Sequence, residues 1–381
     1  MFGNEDVIVK EEIKVCTRCV MDSTDPLITF DEKGHCNYCT NALLFMKKRW
    51  LNNEEGLKKL SGIVEKIKEK NKNNKYDCMI GLSGGADSSY LAYICQKKFG
   101  LRMLALHVDT GWNTKDSEDN IKKICEKLKI DLIVEKLNSD EFMDLQRSYF
   151  LSGVPSQDIP QDHMFLALLF DYAKKNNIKY FFSGANFSTE SILQKGNGYI
   201  AADRTNLNDI HRKHGEGKID SLPQMTLFDR YVKYKFLNKI QMIKPLDYLD
   251  YNLKRAIKEL EDKVDFKYYG AKHAESVFTN FVQMYFLPHK YNFDKRKSHL
   301  SSLIVTNQLE RDEAIEFLQK PLYQEDKMKK DIEFILSKLK VEKSTFNKVI
   351  SSPPVSHDVY KKSKWIKFRK LAVNFRSILG E

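Results

Sequence analysis

Ile80-Gly81-Leu82-Ser83-Gly84-Gly85-Ala86-Asp87-Ser88-Ser89-Tyr90-Leu91 is the stretch that decides the fold. Before it, Tyr76-Asp77-Cys78-Met79-Ile80 reads as a buried strand. After it, Tyr90-Leu91-Ala92-Tyr93-Ile94-Cys95 reads as a helix with an apolar face. Between them stand two adjacent glycines and the hydroxyls of Ser83, Ser88 and Ser89. Glycines allow a tight turn and let a ligand come close to the backbone. A helix starting at about Asp87 turns unpaired N–H groups and the positive end of its dipole towards an anion. The pattern is that of a phosphate cradle, with a plain Gly/Ser turn as the blander alternative. It is not a Walker A loop, since no Gly-Lys-Ser/Thr follows at the required spacing, nor is it Gly-x-Gly-x-x-Gly.

Ser-Gly-Gly-x-Asp-Ser-Ser resembles the PP-loop of the ATP pyrophosphatases, the superfamily of GMP synthetase, NAD synthetase, asparagine synthetase and the tRNA thiolases. The resemblance implies a HUP-like α/β fold with a doubly wound parallel sheet. It also implies cleavage of ATP between its α and β phosphates, with the loop holding pyrophosphate. On that basis Ser83, Asp87 and Ser88 are the catalytic candidates, and Leu82, Ser83, Gly84, Gly85, Asp87, Ser88 and Ser89 surround the nucleotide. The turn after the second strand (His107, Val108, Asp109 and Thr110) would contact the adenosine. Asp109 also reads as a helix cap or turn former.

Working outward, 101–109 and 131–137 read as further strands around a helix from about 116 to 129. A buried helix over 161–175, a fourth strand from 179 and a last strand near 242–246 complete the pattern. Alternating strands and helices imply a parallel sheet covered on both faces, with ligands at the carboxyl ends of the strands. Ser183-Gly184-Ala185-Asn186-Phe187-Ser188-Thr189-Glu190 resembles the Gly-Thr-x-Asn-x-x-Glu stretch of NAD synthetase, with Ser-Gly in place of Gly-Thr. Gly184 and Asn186 thereby join the nucleotide-binding candidates, and Glu190 joins Asp87 as a candidate Mg²⁺ ligand. Cleavage at the α–β bond needs Mg²⁺ on the phosphates, and hard oxygen ligands on two loops suit it. Glu190 also reads as a first-turn helix acid.

Upstream, Cys16-Thr17-Arg18-Cys19 and Cys36-Asn37-Tyr38-Cys39 form two Cys-x-x-Cys knuckles at the spacing of tetrahedral zinc sites. Four thiolates leave no open position, so the metal is expected to be structural. An iron–sulfur cluster and a redox pair are the alternatives. The run from Cys16 to Cys39, followed by the Ser83–Ser89 loop, resembles the N-acetyl sugar amidotransferases of bacterial surface-polysaccharide synthesis. Tyr268-Tyr269-Gly270-Ala271-Lys272-His273-Ala274-Glu275-Ser276 and the run over 294–304 also fit that family. The resemblance implies conversion of the acetamido group of a nucleotide-linked sugar to an acetamidino group through an O-adenylyl intermediate, in LPS O-antigen or other surface-glycan synthesis. ATP, Mg²⁺ and structural Zn²⁺ would be the cofactors. A HisH-like glutaminase with a HisF-like ammonia-channel protein would be the partners.

The seven cysteines speak against a disulfide framework in a chain expected to be cytoplasmic. Cys78 reads as strand core, and Cys95 and Cys125 as helix core, so no glutaminase nucleophile is visible and ammonia is expected from outside. The net charge of +11 is compatible with anionic small molecules, acidic lipid or nucleic acid. Scattered lysines favour solvated helix faces, and no nucleic acid partner is expected. No apolar run approaches membrane-spanning length. The basic run Lys361, Lys362, Lys364, Lys367, Arg369 and Lys370 around Trp365 and Phe368 stays open between a soluble helix and an acidic surface.

The expected organisation is a zinc-knuckle segment and linking helix over 1–60, an ATP-binding domain over 61–250 and a helical region over 251–381. One amphipathic helix is expected from 42 to about 75. Lys195, Arg204 and Arg212, and separately His273, Glu275, Lys295, Arg296 and His299, are candidates to meet an anionic substrate. The rival is a PP-loop tRNA-thiolating enzyme, which usually needs a catalytic cysteine or a cluster-holding pair near the ATP loop.

Overall fold

The computed structural model describes residues 13–194, 196, 198–270 and 274–366. Behind the cysteine knuckles come α1 (Asn37–Arg49) and α2 (Glu54–Lys70). The single helix expected over 42–75 is thus two helices, broken at Trp50. There the backbone is extended, the indole N–H donates to the Leu249 carbonyl, and Leu51 N–H donates to the Asp247 carbonyl. Asn53 then caps α2 by accepting from Gly56 N–H. Tertiary hydrogen bonds override local helix propensity at this point.

The α/β unit runs β1 (Cys78–Gly81), α3 (Ala86–Lys97), β2 (Met103–Asp109), α4 (Lys115–Leu128) and β3 (Asp131–Lys136). It continues with α5 (Ser139–Ser152), α6 (Ile159–Lys175), β4 (Tyr180–Phe182), α7 (Phe187–Glu190), α8 (Arg204–His214) and β5 (Gln241–Ile243). Among these helices α5, α7 and α8 fall outside the predicted pattern. The five strands lie in the order β3-β2-β1-β4-β5, each pair parallel. Successive β-residues face opposite sides. Cys78 and Ile80 join a core with α2, α3 and α4, whereas Met79, Leu104 and Phe181 join one with α6. The strand order reverses between β1 and β4, which opens a crevice between their following loops.

Beyond β5 the described residues are helical: α9 (Leu253–Val264), α10 (Val277–Phe281), α11 (Leu287–Tyr291), α12 (Lys295–Val305), α13 (Arg311–Gln319), α14 (Glu325–Leu339) and α15 (Lys343–Ser351). Ala256, Leu260 and Val264 of α9 pack in the same core as Ile80 and Leu91, so the core of the sheet continues past residue 250. The later helices share a second core with α5, built on Phe150, Phe278, Phe281, Phe286 and Phe346. No helix among the described residues is long and apolar enough to cross a membrane.

Candidate active site

The loop after β1 turns at Gly84, whose φ of +82° suits glycine. A Cβ there would stand 2.5 Å from the Ser117 carbonyl oxygen, so α4 also forbids a side chain. Gly85 precedes α3 with no side-chain cap, which leaves the first N–H groups of that helix to a ligand. Ser83 Oγ accepts from Gly85 N–H at 3.2 Å and lies 3.3 Å from Ser88 Oγ, which donates to the Gly85 carbonyl. These bonds hold the cradle open over a cavity of about 220 Å³. Ser83, Gly85, Asp87, Ser88, Gly184 and Glu190 all line it. Gly184 is there by necessity, since a Cβ would press within 3.1 Å of Ser88 N. Asp87 and Glu190 thus face one space from the two loops of the crevice, a donor set that fits Mg²⁺ completed by phosphate and water oxygens.

Eight of the predicted nucleotide contacts (Leu82, Gly84, Ser89, His107, Val108, Asp109, Thr110 and Asn186) do not line this cavity. Leu82 and Ser89 are buried in the structure. His107 is buried too: its Nδ1–H donates to the Leu82 carbonyl at 2.8 Å, while Asn113 Nδ2 donates to Nε2. Burial holds its pKa below the ordinary histidine value, which suits this neutral, bracing role. Val108 packs with the core on the α6 face. Asn186 caps α7 by accepting from Thr189 N–H. Asp109 accepts from Gly111 N–H, the turn-forming alternative. Neither Gly84 nor Asp109 is among the cavity-lining residues, although Gly84 shapes the wall from behind.

Sequence reasoning leaves out Tyr251 and gives Tyr268 and Tyr269 no role at the loop, and it names Glu275 only as a candidate to meet an anionic substrate. Tyr251, buried after β5, donates its hydroxyl to Asp87 Oδ1. Its own carbonyl accepts from Ser188 Oγ in α7, so one residue ties the elements that carry Asp87 and Glu190. Tyr269 donates to the Gly84 carbonyl at 2.7 Å, and Tyr268 and Glu275 line the cavity. The Glu275 carbonyl accepts from Thr114 N–H and Ser117 Oγ, which straps this segment across the start of α4. The tyrosine pair and Glu275 in that run are the signal that could have found them.

The four knuckle thiols are buried, and their sulfurs lie within 4.8 Å of one another. Cys16 and Cys39 Sγ are 3.8 Å apart, and Cys19 and Cys36 Sγ 3.6 Å. Thiolates at about 2.3 Å from one tetrahedral ion stand about 3.8 Å apart, so the set fits a single ion. Thiolates on separate irons of a cluster would be spread wider. Backbone N–H groups of Arg18, Cys19 and Cys36 point at Cys16 Sγ, as a thiolate requires. His35 stands outside the set, beside Arg18 and Asp31. The knuckle is seated on the C-terminal helices: Val20 N–H donates to Ser301 Oγ, and Arg311 donates to the carbonyls of Cys16 and Cys19.

Of the remaining substrate candidates, Lys295, Arg296 and His299 line a second cavity of about 710 Å³. Arg296 is bonded to the Asp294 carboxylate, which caps α12. Arg204 and Arg212 sit on α8 and line neither cavity. Lys195, His273, Lys367, Phe368, Arg369 and Lys370 lie outside the described residues.

Two family models match the chain: NAD synthase over residues 58–150 and the C-terminal domain of the WbpG-like LPS biosynthesis proteins over 275–372. A tRNA-specific 2-thiouridylase MnmA 2 of Fusobacterium nucleatum is 35% identical over 119 residues, 29% of this chain and 34% of that protein. The NH3-dependent NAD(+) synthetase of Methanocaldococcus jannaschii is 28% identical over 191 residues, 47% of this chain and 64% of that one. The chain thus spans about a third of the first of these relatives and under two thirds of the other. Among solved structures, the U34-tRNA thiolase NcsA of Methanococcus maripaludis with its 4Fe-4S cluster aligns at 15% identity, covering 82% of this chain and 99% of that one, with a TM-score of 0.34.

Proposed function

From the premise that this chain is a WbpG-like member of the PP-loop ATP pyrophosphatases, we propose that it is an ATP-dependent amidotransferase acting on an acetamido sugar. The acceptor is nucleotide-linked, the product carries an acetamidino group, and the pathway is LPS O-antigen or related surface-glycan synthesis. One observation carries the reading. The ATP cradle is closed by Tyr269 and Glu275, and Glu275 is where the WbpG-like match begins, so both matched regions build one cavity.

An acetamido oxygen is a poor leaving group, and ammonia does not displace it directly. In the proposed reaction that oxygen attacks the α-phosphorus of ATP, the bond to the β-phosphate oxygen breaks, and pyrophosphate leaves. Ammonia then adds to the imidate carbon, the carbon–oxygen bond breaks, AMP leaves, and one N–H proton is released. Ser83, Ser88 and the N–H groups that open α3 stabilise the charge developing on the departing pyrophosphate. Asp87 and Glu190 would hold Mg²⁺, which neutralises phosphate charge. The four cysteines would hold one structural zinc. No protein nucleophile is needed, and the chain's work is alignment of two substrates.

A thiolase reading wants a reactive cysteine, and all seven are buried. Burial raises the thiol pKa of Cys78, Cys95 and Cys125, the last to about 12, which makes them poor nucleophiles. Nor does a thiol serve as a glutaminase nucleophile, so ammonia is taken from a separate glutaminase. Incubating candidate sugar nucleotides with the protein, ATP, Mg²⁺ and ammonium tests the reaction. Mass spectrometry should find the acceptor lighter by the difference between O and NH, with AMP formed in equal amount. ADP in place of AMP, or turnover driven by tRNA and not by acetamido sugars, would overturn it.

A further inference from the structure

One flank of the sheet carries side chains that the reaction does not use. β5 is an edge strand, and the π-helix Asp229–Leu237 leads into it. Asn238 N–H donates to the Lys233 carbonyl and Ile240 N–H to the Tyr234 carbonyl, so the chain folds back and the end of the π-helix meets the start of β5. Tyr234 anchors the helix: its ring stacks on Phe170 at 4.6 Å, and its hydroxyl donates to Asp171. The residues after Tyr234 turn outward. Phe236 is 61% exposed, Leu237 71% and Met242 45%. Met242 pairs with Phe181, which packs in the α6 core, so Met242 lies on the face of the sheet that the π-helix also covers.

Scattered exposed apolar residues are normal, whereas grouped ones mark contact surfaces. Residues 230–244 hold Arg230, Lys233, Lys235, Lys239 and Lys244 and no acidic residue. Asp229 takes up Lys233 at 3.4 Å, while Lys235, Lys239 and Lys244 are exposed and form no ion pair with an acid among the described residues. At the other end of the π-helix the rings of Phe228 and Trp365 stand 5.5 Å apart, both exposed. That contact joins Lys361 and Lys364 to the same flank, and beyond the described residues the sequence goes on with Lys367, Phe368, Arg369 and Lys370. The charge requires an anionic partner. A second copy paired through this flank would bring the same positive charges face to face. Nor is the patch a cleft, since none of its residues lines either cavity described above. Lysines around aromatic and aliphatic tips, with no pocket to fill, suit a layer of lipid phosphates over acyl chains.

We infer that this flank docks on an anionic lipid bilayer, on which the chain lies without crossing it. Phe236, Leu237 and Met242 enter the boundary between headgroups and acyl chains, and Lys235, Lys239 and Lys244 meet lipid phosphates. The ATP cavity stays open to solvent in this pose, because the flank contributes nothing to its lining.

Sedimentation of the full chain with vesicles of phosphatidylcholine alone, and with roughly a third phosphatidylglycerol, in about 0.15 M salt tests it. The mixed vesicles should bind the chain about tenfold or more tightly than phosphatidylcholine does. Phe236→Ser/Leu237→Ser should weaken that binding about tenfold or more, and Lys235→Gln/Lys239→Gln about fivefold for each charge removed. The four side chains are exposed, so both variants should keep the parent's ATP affinity within about twofold. The glutamine variant decides the matter if the serine variant does not fold. Equal binding to the two compositions, binding to neither, or variants that bind as the parent does would overturn the inference. So would a parent that is dimeric in solution and a serine variant that is monomeric, which would give the patch to a second copy. A chain that binds vesicles in this way yet never forms AMP would instead sink the reaction and leave the surface standing.

Discussion

Tyr251 shows what one hydroxyl does at this site. Its bond to Asp87 spans 164 residues of sequence and no motif announces it, whereas Asp87, Ser88 and Gly184 stand in stretches that resemble family motifs. Charge-assisted bonds of this kind contribute about 1.5–3 kcal/mol. Tyr251→Phe keeps the ring and should reduce the gain in ATP affinity that Mg²⁺ provides by about tenfold or more, measured as dissociation constants in Mg²⁺ and in EDTA. An unchanged gain would reduce Tyr251 to packing. If Asp87→Asn also kept the full gain, the placement of the ion would be wrong as well. Gly84→Ala forces a side chain into a positive-φ turn against Ser117. It should cost about 1–3 kcal/mol in urea denaturation and abolish ATP binding. Two buried histidines set the acid limit. His163 Nδ1–H donates to the Ala201 carbonyl and Nε2 accepts from Met225 N–H, while His357 packs on Tyr199. Burial lowers both to a pKa of about 4. The unfolded chain takes up these protons near pH 6.5, the folded chain only near pH 4. Stability is therefore full above about pH 6.5 and falls as pH drops towards 4, by roughly 3 kcal/mol per ring. Urea midpoints at pH 7.5 and 5 that coincide would contradict this.

At the scale of elements, the sheet was legible because its central strands β1, β2 and β4 are buried on both faces and bounded by glycines and polar turns. The break between α1 and α2 was not, because the groups that stop the helix, the carbonyls of Asp247 and Leu249, lie some two hundred residues away. The same holds for His107, whose place in the motif suggests adenosine while its ring braces the Leu82 carbonyl. The knuckle was read correctly as four grouped thiols, but its spacing alone does not say that it seats α12. Ser301, on α12, accepts from the knuckle, and Lys295 and His299 on the same helix line the larger cavity. Chelation of the metal should therefore speed amide exchange across α12 at concentrations that leave ATP binding intact. Metal analysis should find one zinc per chain and no acid-labile sulfide; iron with sulfide would replace the single-ion reading with a cluster. Loss of ATP binding at the same chelator concentration would mean that the knuckle supports the whole fold and not α12.

Over the whole molecule, the division expected at residue 250 separates residues that pack together. Leu260 and Val264 of α9 share a core with Leu91 of α3, and a fully buried leucine or valine contributes about 1.5–3 kcal/mol. In native-state hydrogen exchange α9 should open with β1 at the same free energy, and an α9 that opens well before the sheet would restore the boundary. The knuckle's seat carries a last consequence. Its bonds to Ser301 and Arg311 join positions 281 to 295 residues apart. A nascent chain makes its cysteine loop early and waits for nearly three hundred more residues before that loop can dock. Capture of an ion by the cysteines and docking of the knuckle on α12 and α13 are therefore separate events during synthesis, and a chain short of the ion would complete its sheet with that seat unfilled.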